Sequence, residues 1–448
     1  MADININKFM TRFHLLEREL ALFDNKVDGE LWWDSVRCEV CHFLYDCLTG
    51  LTYSSAHRPA ARSRALGRAR RTAQRWALFA DAALRHRDLL VIRAPRSVVD
   101  GVRHDIVLDP ITVLVAERSR VINTLPRRYH LPDGGAWAAG TVPAELDAIA
   151  AELISAYAID PHQSAALIAH IYQLRADYAG AVRGYNVLFD RIRPKGVLMV
   201  QNGIEKALFH VANTRGIPTA EAQHGLIGFG HANYSYPRDV DYSQQTAMPS
   251  LFLTFSEFWS QAGYYPAARH AVIGTDHFGA GIEPVRTGRG TVMVIAADIY
   301  NDELLALTRD LAAHLPGRRI VYKLHPNQGA QEADICAAFA DLPHVEVGTA
   351  GTPAVRLMDD VTHLVAIQST VVYEALQSGR RIVIVPRHDY HIHSDLFGLP
   401  SVSLAGDGPA MAAALDIPAN GAPGPTFFER FDPKRARAVL TSLIAHGS

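Results

Sequence analysis

The sequence predicts an α/β fold of two doubly wound, parallel-sheet domains preceded by a helical N-terminal elaboration. Three observations predict it. The 448 residues exceed what one ordinary hydrophobic core organises. Short apolar strands alternate with helices in two separate series, the rhythm of a parallel sheet. A stretch rich in glycine, proline and arginine (279–290) divides the two series. With 48% apolar and 20% charged residues, the composition is globular rather than disordered.

Along the chain, residues up to about Pro132 mix helical pattern with short strands. Leu15, Leu16, Glu19, Leu20 and Phe23 form one apolar stripe, and residues 32–48 form another. DLLVI (88–92) reads as a buried strand and DIVLDP (105–110) as an extended segment stopped by proline. Helical pattern returns over 143–192. The strand GVLMVQN (196–202) follows, then a helix ended by Gly216, then IPTAEAQHG. LFLTFS (251–256) and HAVIG (270–274) continue the series. The second series opens with TVMVIAAD (291–298), a helix over 303–314, and RRIVYKLHP (318–326). It proceeds through HVEVG (344–348), THLVAIQS (362–369), a helix stopping at Gly379, and RRIVIVP (380–386). Residues 1–280 therefore form one domain, with 1–132 an added helical and mixed region. Residues 281–430 form the second domain, and 431–448 a helix that packs back across the two.

Bulk properties exclude several functions. A formal net charge of −2 lacks the Lys and Arg excess of a general nucleic-acid binder. The N-terminus carries charges throughout, unlike a secretory signal, and no run approaches the roughly 20 apolar residues that span a bilayer. Cys38 and Cys41 form a CxxC without a second pair, which reads as helix packing beside Leu44 and Tyr45. These features predict a cytoplasmic protein. Charge is nevertheless uneven: Arg58, Arg62, Arg64, Arg68, Arg70, Arg71 and Arg75 occur without an acid among them. That stretch reads either as a solvated helix face or as a peripheral dock on anionic lipid of the inner membrane face.

Ligands on open α/β sheets bind beyond the carboxyl ends of strands. Three strand ends carry polar residues that a core does not need. At the first, Lys323 and His325 alternate to one side of a strand that Pro326 stops, and a cation with an imidazole suits a pyrophosphate. A solvated strand end is the plainer reading. At the second, Gln368, Ser369 and Thr370 precede a helix, where hydroxyls and N–H groups hold an anion or merely cap the helix. Glu374, one turn on, is placed to hold a ribose or nucleobase, or is an ordinary first-turn acid. At the third, Glu221, Gln223, His224 and Gly225 lead into a glycine-rich loop with His231, Tyr234 and Tyr236. Glu221 or His224 is the expected general base on an acceptor hydroxyl, with Gln223, Gly225, His231 and Tyr234 on the acceptor side.

The block from PKGVLMVQN to AEAQHGLIGFGHANY resembles the N-terminal-domain segment of capsule and lipopolysaccharide glycosyltransferases. IVYKLHP and VAIQSTVVYEALQSGRRIVIV resemble the HP and Ser/Thr motifs of bacterial sialyltransferases, polysialyltransferases and capsule Kdo transferases. Related blocks occur in CDP-glycerol glycerophosphotransferases. The resemblance covers residues 194–386 and implies a GT-B fold, two Rossmann-like domains facing a cleft. It further implies a nucleotide-sugar donor, such as a CMP-linked ulosonic acid, and a surface-polysaccharide or lipid-linked glycan acceptor. His325, Ser369 and Thr370 would bind the donor phosphate with Lys323 in support, and Glu221 and His224 would supply the base. No clear counterpart of the polysialyltransferase D/E-D/E-G motif is present. Such an enzyme stabilises the leaving phosphate with cations and helix N-termini, so no metal or other cofactor is expected. Asp359 and Asp360 read as a solvated turn. A glycerophosphotransferase uses the same phosphate logic, and a sugar-nucleotide 2-epimerase shares the cleft but needs more carboxylates at strand ends. A scaffold without catalysis would not need both halves of the site.

Overall fold

A computed structural model describes residues 5–27, 29–54, 88–93, 97–99, 102–116, 121–124, 131, 144–200, 203, 205–278, 282–297, 300–387, 389–419, 421–422 and 424–445. The arginine run from Arg58 to Arg75, read as a solvated face or a lipid dock, lies outside the described residues. The first unit begins with α1 (Ile6–Glu19), a hairpin β1–β2 (Lys26–Val27, Glu30–Leu31) and α2 (Trp33–Thr49). Next come β3 (Leu89–Ile92), a second hairpin β4–β5 (Ser97–Val99, Val102–His104), α3 (Leu108–Ala116) and β6 (Val121–Thr124). Two helices, α4 (Ala144–Ala156) and α5 (Gln163–Ile192), lead to β7 (Gly196–Val200), α6 (Lys206–Thr214) and β8 (Thr219–Ala222). The unit closes with β9 (Leu251–Thr254), α7 (Glu257–Gln261) and β10 (His270–Val272).

The second unit runs β11 (Thr291–Ile295), α8 (Asn301–His314), β12 (Ile320–Lys323), α9 (Glu332–Ala338) and β13 (Val345–Gly348). It continues with β14 (Val361–Ala366), α10 (Val371–Gln377), β15 (Arg381–Ile384), β16 (Val402–Leu404) and α11 (Gly408–Leu415), and α12 (Pro433–Ala445) follows. Asp359 and Asp360 lie exposed in the turn that enters β14.

Each unit holds one six-stranded sheet, ordered β10-β9-β8-β7-β3-β6 in the first and β13-β12-β11-β14-β15-β16 in the second. Every pairing in both sheets is parallel. Strands such as β7 and β14 are buried along their whole length, which helices on both faces require. These are two Rossmann-like units, the doubly wound parallel sheets that the sequence predicts. In the second sheet the strand order reverses between β11 and β14, the point where such sheets open a ligand crevice. Gly379 ends α10 at φ +82°, and a Cβ there would come within 2.9 Å of the Ala422 carbonyl oxygen.

One segment departs from its predicted form. Residues 105–110 are not extended: the chain turns at Ile106 and Val107 and enters α3. The Asp105 carboxylate accepts the Val107 and Leu108 N–H groups at 3.2 and 2.9 Å, so Pro110 falls in a first helical turn, where its missing N–H costs nothing.

The N-terminal elaboration touches both units. Asn7 on α1 donates to Ser394 Oγ at 2.6 Å. Tyr45 on α2, Tyr53 just beyond it, and Tyr300 of the second unit all donate to the buried Asp389 carboxylate, the latter two at 2.7 and 2.8 Å. At the other end of the chain, α12 returns to the first unit, with Leu443 Cδ2 3.6 Å from where a Cβ on Gly196 would stand. The larger hydrophobic core is accordingly shared, running from Phe9 and Leu44 through Leu253 to Leu364 and Ile382. Among the described residues no helix is long and apolar enough to cross a membrane.

Candidate functional site

The carboxyl ends of β8 and β14 meet. After β8 the chain makes the Gln223–His224–Gly225 turn, and after β14 it makes the Gln368–Ser369–Thr370 turn. Thr370 Oγ1 accepts the Leu226 N–H at 3.3 Å and would lie 3.5 Å from a Cβ on Gly225. Two motifs 144 residues apart are thereby in direct contact between the two units.

Within the first motif the side chains divide sharply. Glu221, expected as a base, is fully buried in β8 and is corrected to a supporting role. Its two carboxylate oxygens receive the hydroxyls of Tyr234 at 2.6 Å and Tyr265 at 2.5 Å, so it does not face an acceptor. Tyr234 is itself buried, and its hydroxyl stands 3.1 Å from His224 Nδ1. With Glu221 ionised, the single Tyr234 proton goes to the carboxylate, and the phenolic oxygen must accept His224 Nδ1–H. That assigns the tautomer and leaves Nε2 as the basic nitrogen of a half-buried imidazole. Gln223 is likewise corrected: it is fully buried, donates to the Gly225 carbonyl at 2.8 Å and accepts the Phe255 N–H at 3.0 Å, so it shapes the turn. Half-buried His231 lies beside His224, ring centroids 5.4 Å apart, and its Nδ1 accepts the Asn233 N–H at 3.3 Å.

At the end of β12, His325 caps the short 3₁₀ helix Pro326–Gln331. Its Nδ1 accepts the Asn327 N–H at 3.2 Å, which places the ring proton on Nε2 as a donor. Gln328 accepts the His325 N–H at 2.8 Å and donates to Asn301 at 2.8 Å, fixing the turn. Lys323 is buried, 4% exposed, and its ammonium donates to the Leu324 carbonyl, so it does not project beside His325 as expected. Burial lowers its pKa to about 8 from the ordinary 10.5. The folded state thus binds this proton less tightly than the unfolded chain. Lys323 contributes stability that rises between about pH 8 and 10.5, where only the unfolded chain still holds the proton. Denaturation midpoints should increase over that interval in the wild type relative to Lys323→Met, and parallel curves would contradict the assignment.

Ser369 Oγ accepts the Val371 N–H at 3.2 Å, the local cap that its position before α10 allowed. Its N–H donates at 3.2 Å to Nε2 of the buried His393, which burial holds neutral by lowering its pKa to about 3. Glu374 is buried inside the first turn of α10, 6% exposed, rather than open at the helix mouth.

The residues that hold the glycine-rich loop were not signalled by any motif. Arg37 of α2, 1% exposed, pairs with Glu17 of α1 at 2.6 Å. The same guanidinium donates to the Ala232 carbonyl and, at 2.7 Å, to the Ser235 carbonyl. His14 Nε2 also donates to Ser235 O at 3.0 Å; burial and then Arg37 depress its pKa to about 3, so it is neutral. The loop carrying His231 and Tyr234 is therefore clamped by the N-terminal helices. Among the described residues no group of three or more His, Cys, Asp or Glu is arranged to hold a metal ion.

No protein-family model and no curated sequence matches the chain. Solved structures similar to it include UDP-GlcNAc 2-epimerase of Methanocaldococcus jannaschii, 11% identical, TM-score 0.46, over 80% of this chain and 99% of that one. The calicheamicin glycosyltransferase CalG4 is 12% identical, TM-score 0.45, over 81% and 95% of the two chains. The glycotransferase of kitacinnamycin is 16% identical, TM-score 0.46, over 81% and 96%. Function has to be argued from the site, since one scaffold hosts many chemistries.

Proposed function

We propose that the chain is a metal-independent glycosyltransferase that moves a sugar from a nucleotide donor to a glycan acceptor. The observation that carries this reading is the contact between the two motif turns, Thr370 with Leu226, which sets the candidate base and the candidate phosphate ligands on facing strand ends. His224 Nε2 takes the proton of the acceptor hydroxyl as that oxygen bonds to the anomeric carbon. The imidazolium formed is stabilised through Tyr234 by Glu221, a carboxylate acting through an intervening hydroxyl. The bond to the nucleotide phosphate breaks, and the phosphate leaves with the electron pair. His325 Nε2–H, with Thr370 and the Ser369 turn, receives the growing negative charge. The likeness of the HP and Ser/Thr motifs to those of Kdo transferases favours a CMP-linked ulosonic acid as donor. The QHG block favours a surface-polysaccharide or lipid-linked acceptor. A CDP-glycerol-type phosphotransferase is the second reading, because His325 and its turn suit a pyrophosphate equally well.

A thermal-shift panel of CMP, CDP, UDP, GDP and dTDP tests the proposal. One nucleotide should raise the midpoint, by an amount equivalent to about 2.7 kcal/mol at a hundredfold excess over Kd, and His325→Ala should abolish the shift. CMP supports the ulosonic acid donor and CDP the phosphotransferase. No shift with any of them removes the transferase reading.

A further inference from the structure

Phenols from the N-terminal elaboration and from the second unit converge on one carboxylate at the mouth of the second sheet. Asp389 follows β15, Tyr300 precedes α8 beyond β11, and Gln368 follows β14. These strands surround the point where the strand order reverses. Asp389 is buried, 4% exposed, and accepts the Tyr300 hydroxyl at 2.8 Å. It also accepts from Tyr45 and Tyr53 of the elaboration, the latter at 2.7 Å. Gln368 Nε2, one residue before the Ser369–Thr370 turn, donates to the Tyr53 hydroxyl at 3.4 Å. Burial first, and then the Asp389 charge, raise the pKa of Tyr45 and Tyr53 above the ordinary 10, so both stay protonated donors.

The elaboration is fastened at this point on several sides. Asp46 of α2 accepts the Tyr53 and Ser54 N–H groups at 2.9 and 2.7 Å, which folds the chain after α2 back onto the helix. Leu51, between Asp46 and Tyr53, packs against both of the larger hydrophobic cores. Just beyond Asp389 runs the short 3₁₀ helix Tyr390–Leu396. Asn7 of α1 donates to its His391 carbonyl at 3.2 Å and to Ser394 Oγ at 2.6 Å. His393 of the same helix accepts the Ser369 N–H. Ile392 and Ile6 of α1 close around Gly230 of the glycine-rich loop, 3.5 and 3.4 Å from where a Cβ would stand. The other end of α2 reaches that loop as well. Arg37, about 12 Å from Tyr45 along the helix, holds the Ala232 and Ser235 carbonyls.

We infer that residues 389–394, bolted to α1 and α2, form a conformational device that couples the two halves of the candidate site from outside it. The Ser369–Thr370 turn is held by His393 and, through Gln368, by Tyr53. The glycine-rich loop is held by Ile392 and by Arg37. Both therefore rest on one hydrogen-bonded and packed assembly, and contiguous networks of this kind carry energetic coupling. Loosening the assembly at Asp389 frees one end of α2, and the loop that α2 clamps at its other end loses support. None of these contacts involves a ligand, so the device acts whatever occupies the cleft. The N-terminal elaboration thereby sets how the two motif turns face each other, a role independent of the transfer chemistry.

Hydrogen exchange on the full chain, followed by mass spectrometry in peptides covering 226–236, tests the inference. Asp389→Asn removes the charge that Tyr45, Tyr53 and Tyr300 bind. Exchange in the loop should accelerate about tenfold or more, the usual effect of losing charged hydrogen bonds. Leu311→Ala is the control. Leu311 is fully buried in the second unit's core and is none of the bolt residues. Its truncation lowers stability through a cavity and should leave the loop exchanging as in the wild type. Should Asp389→Asn fail to fold, the double variant Tyr45→Phe/Tyr53→Phe, which keeps the carboxylate and Tyr300, decides in its place, with the same acceleration expected. Unchanged exchange of the loop in the deciding variant overturns the inference. Equal acceleration in Leu311→Ala overturns it too, because the loop would then report only general stability.

Discussion

Replacing Arg37 with methionine is expected to remove about 3–5 kcal/mol of folding free energy, the usual cost of breaking a buried ion pair from one side. Glu17 is fully enclosed, so the substitution strands a carboxylate that water cannot reach. The Ala232 and Ser235 carbonyls lose their guanidinium donor in the same step. Chemical denaturation measures the loss, and the double variant Glu17→Gln/Arg37→Met should recover part of it, because neutral groups of similar shape leave no charge behind. The glycine-rich loop should then open to proteolysis before the rest of the first unit does. An unchanged unfolding free energy in the single variant would mean that the clamp contributes nothing to the fold.

His224→Ala should lower the transfer rate by about 10²–10⁴-fold, the range for losing a positioned general base, with the nucleotide-induced stabilisation intact. Loss of both together would instead make His224 a structural residue. Tyr234→Phe separates the two roles more finely. It deletes the oxygen that accepts His224 Nδ1–H and takes one donor from Glu221. The imidazolium loses its stabilising partner, so the acid limb of the pH–rate profile should move to lower pH while the rate falls about tenfold. Destabilisation without movement of that limb would show that Tyr234 only packs.

Much of the architecture was legible because parallel α/β sheets write themselves locally. A strand buried on both faces is a continuous apolar run, as in GVLMV and LLVI, and a glycine at a helix end stops the helix, as Gly379 does. The segment at 105–110 was misread for a local reason as well. Proline closing the segment behind the apolar run Ile106–Leu108 and Asp109 signals a strand end, but it also suits a first helical turn, and the Asp105 cap decides between them.

The candidate site was only half legible. Sequence alone determined that polar residues stand at the ends of β8, β12 and β14, since a core has no use for them and each is adjacent to its strand. Which of those residues face outward was decided by the tertiary structure. Glu221 and Gln223 have the right chemistry for an open site, yet tyrosines 234 and 265, and the turn itself, consume their hydrogen-bonding groups. Lys323 turns onto a backbone carbonyl, and Glu374 is enclosed. Nothing near Arg37 in the chain indicated that it would hold a loop 195 residues away. The physical reason is the same in each case: period and composition report how a segment packs on its neighbours in sequence. Burial, proton location and the pairing of charges depend on what arrives from elsewhere in the fold.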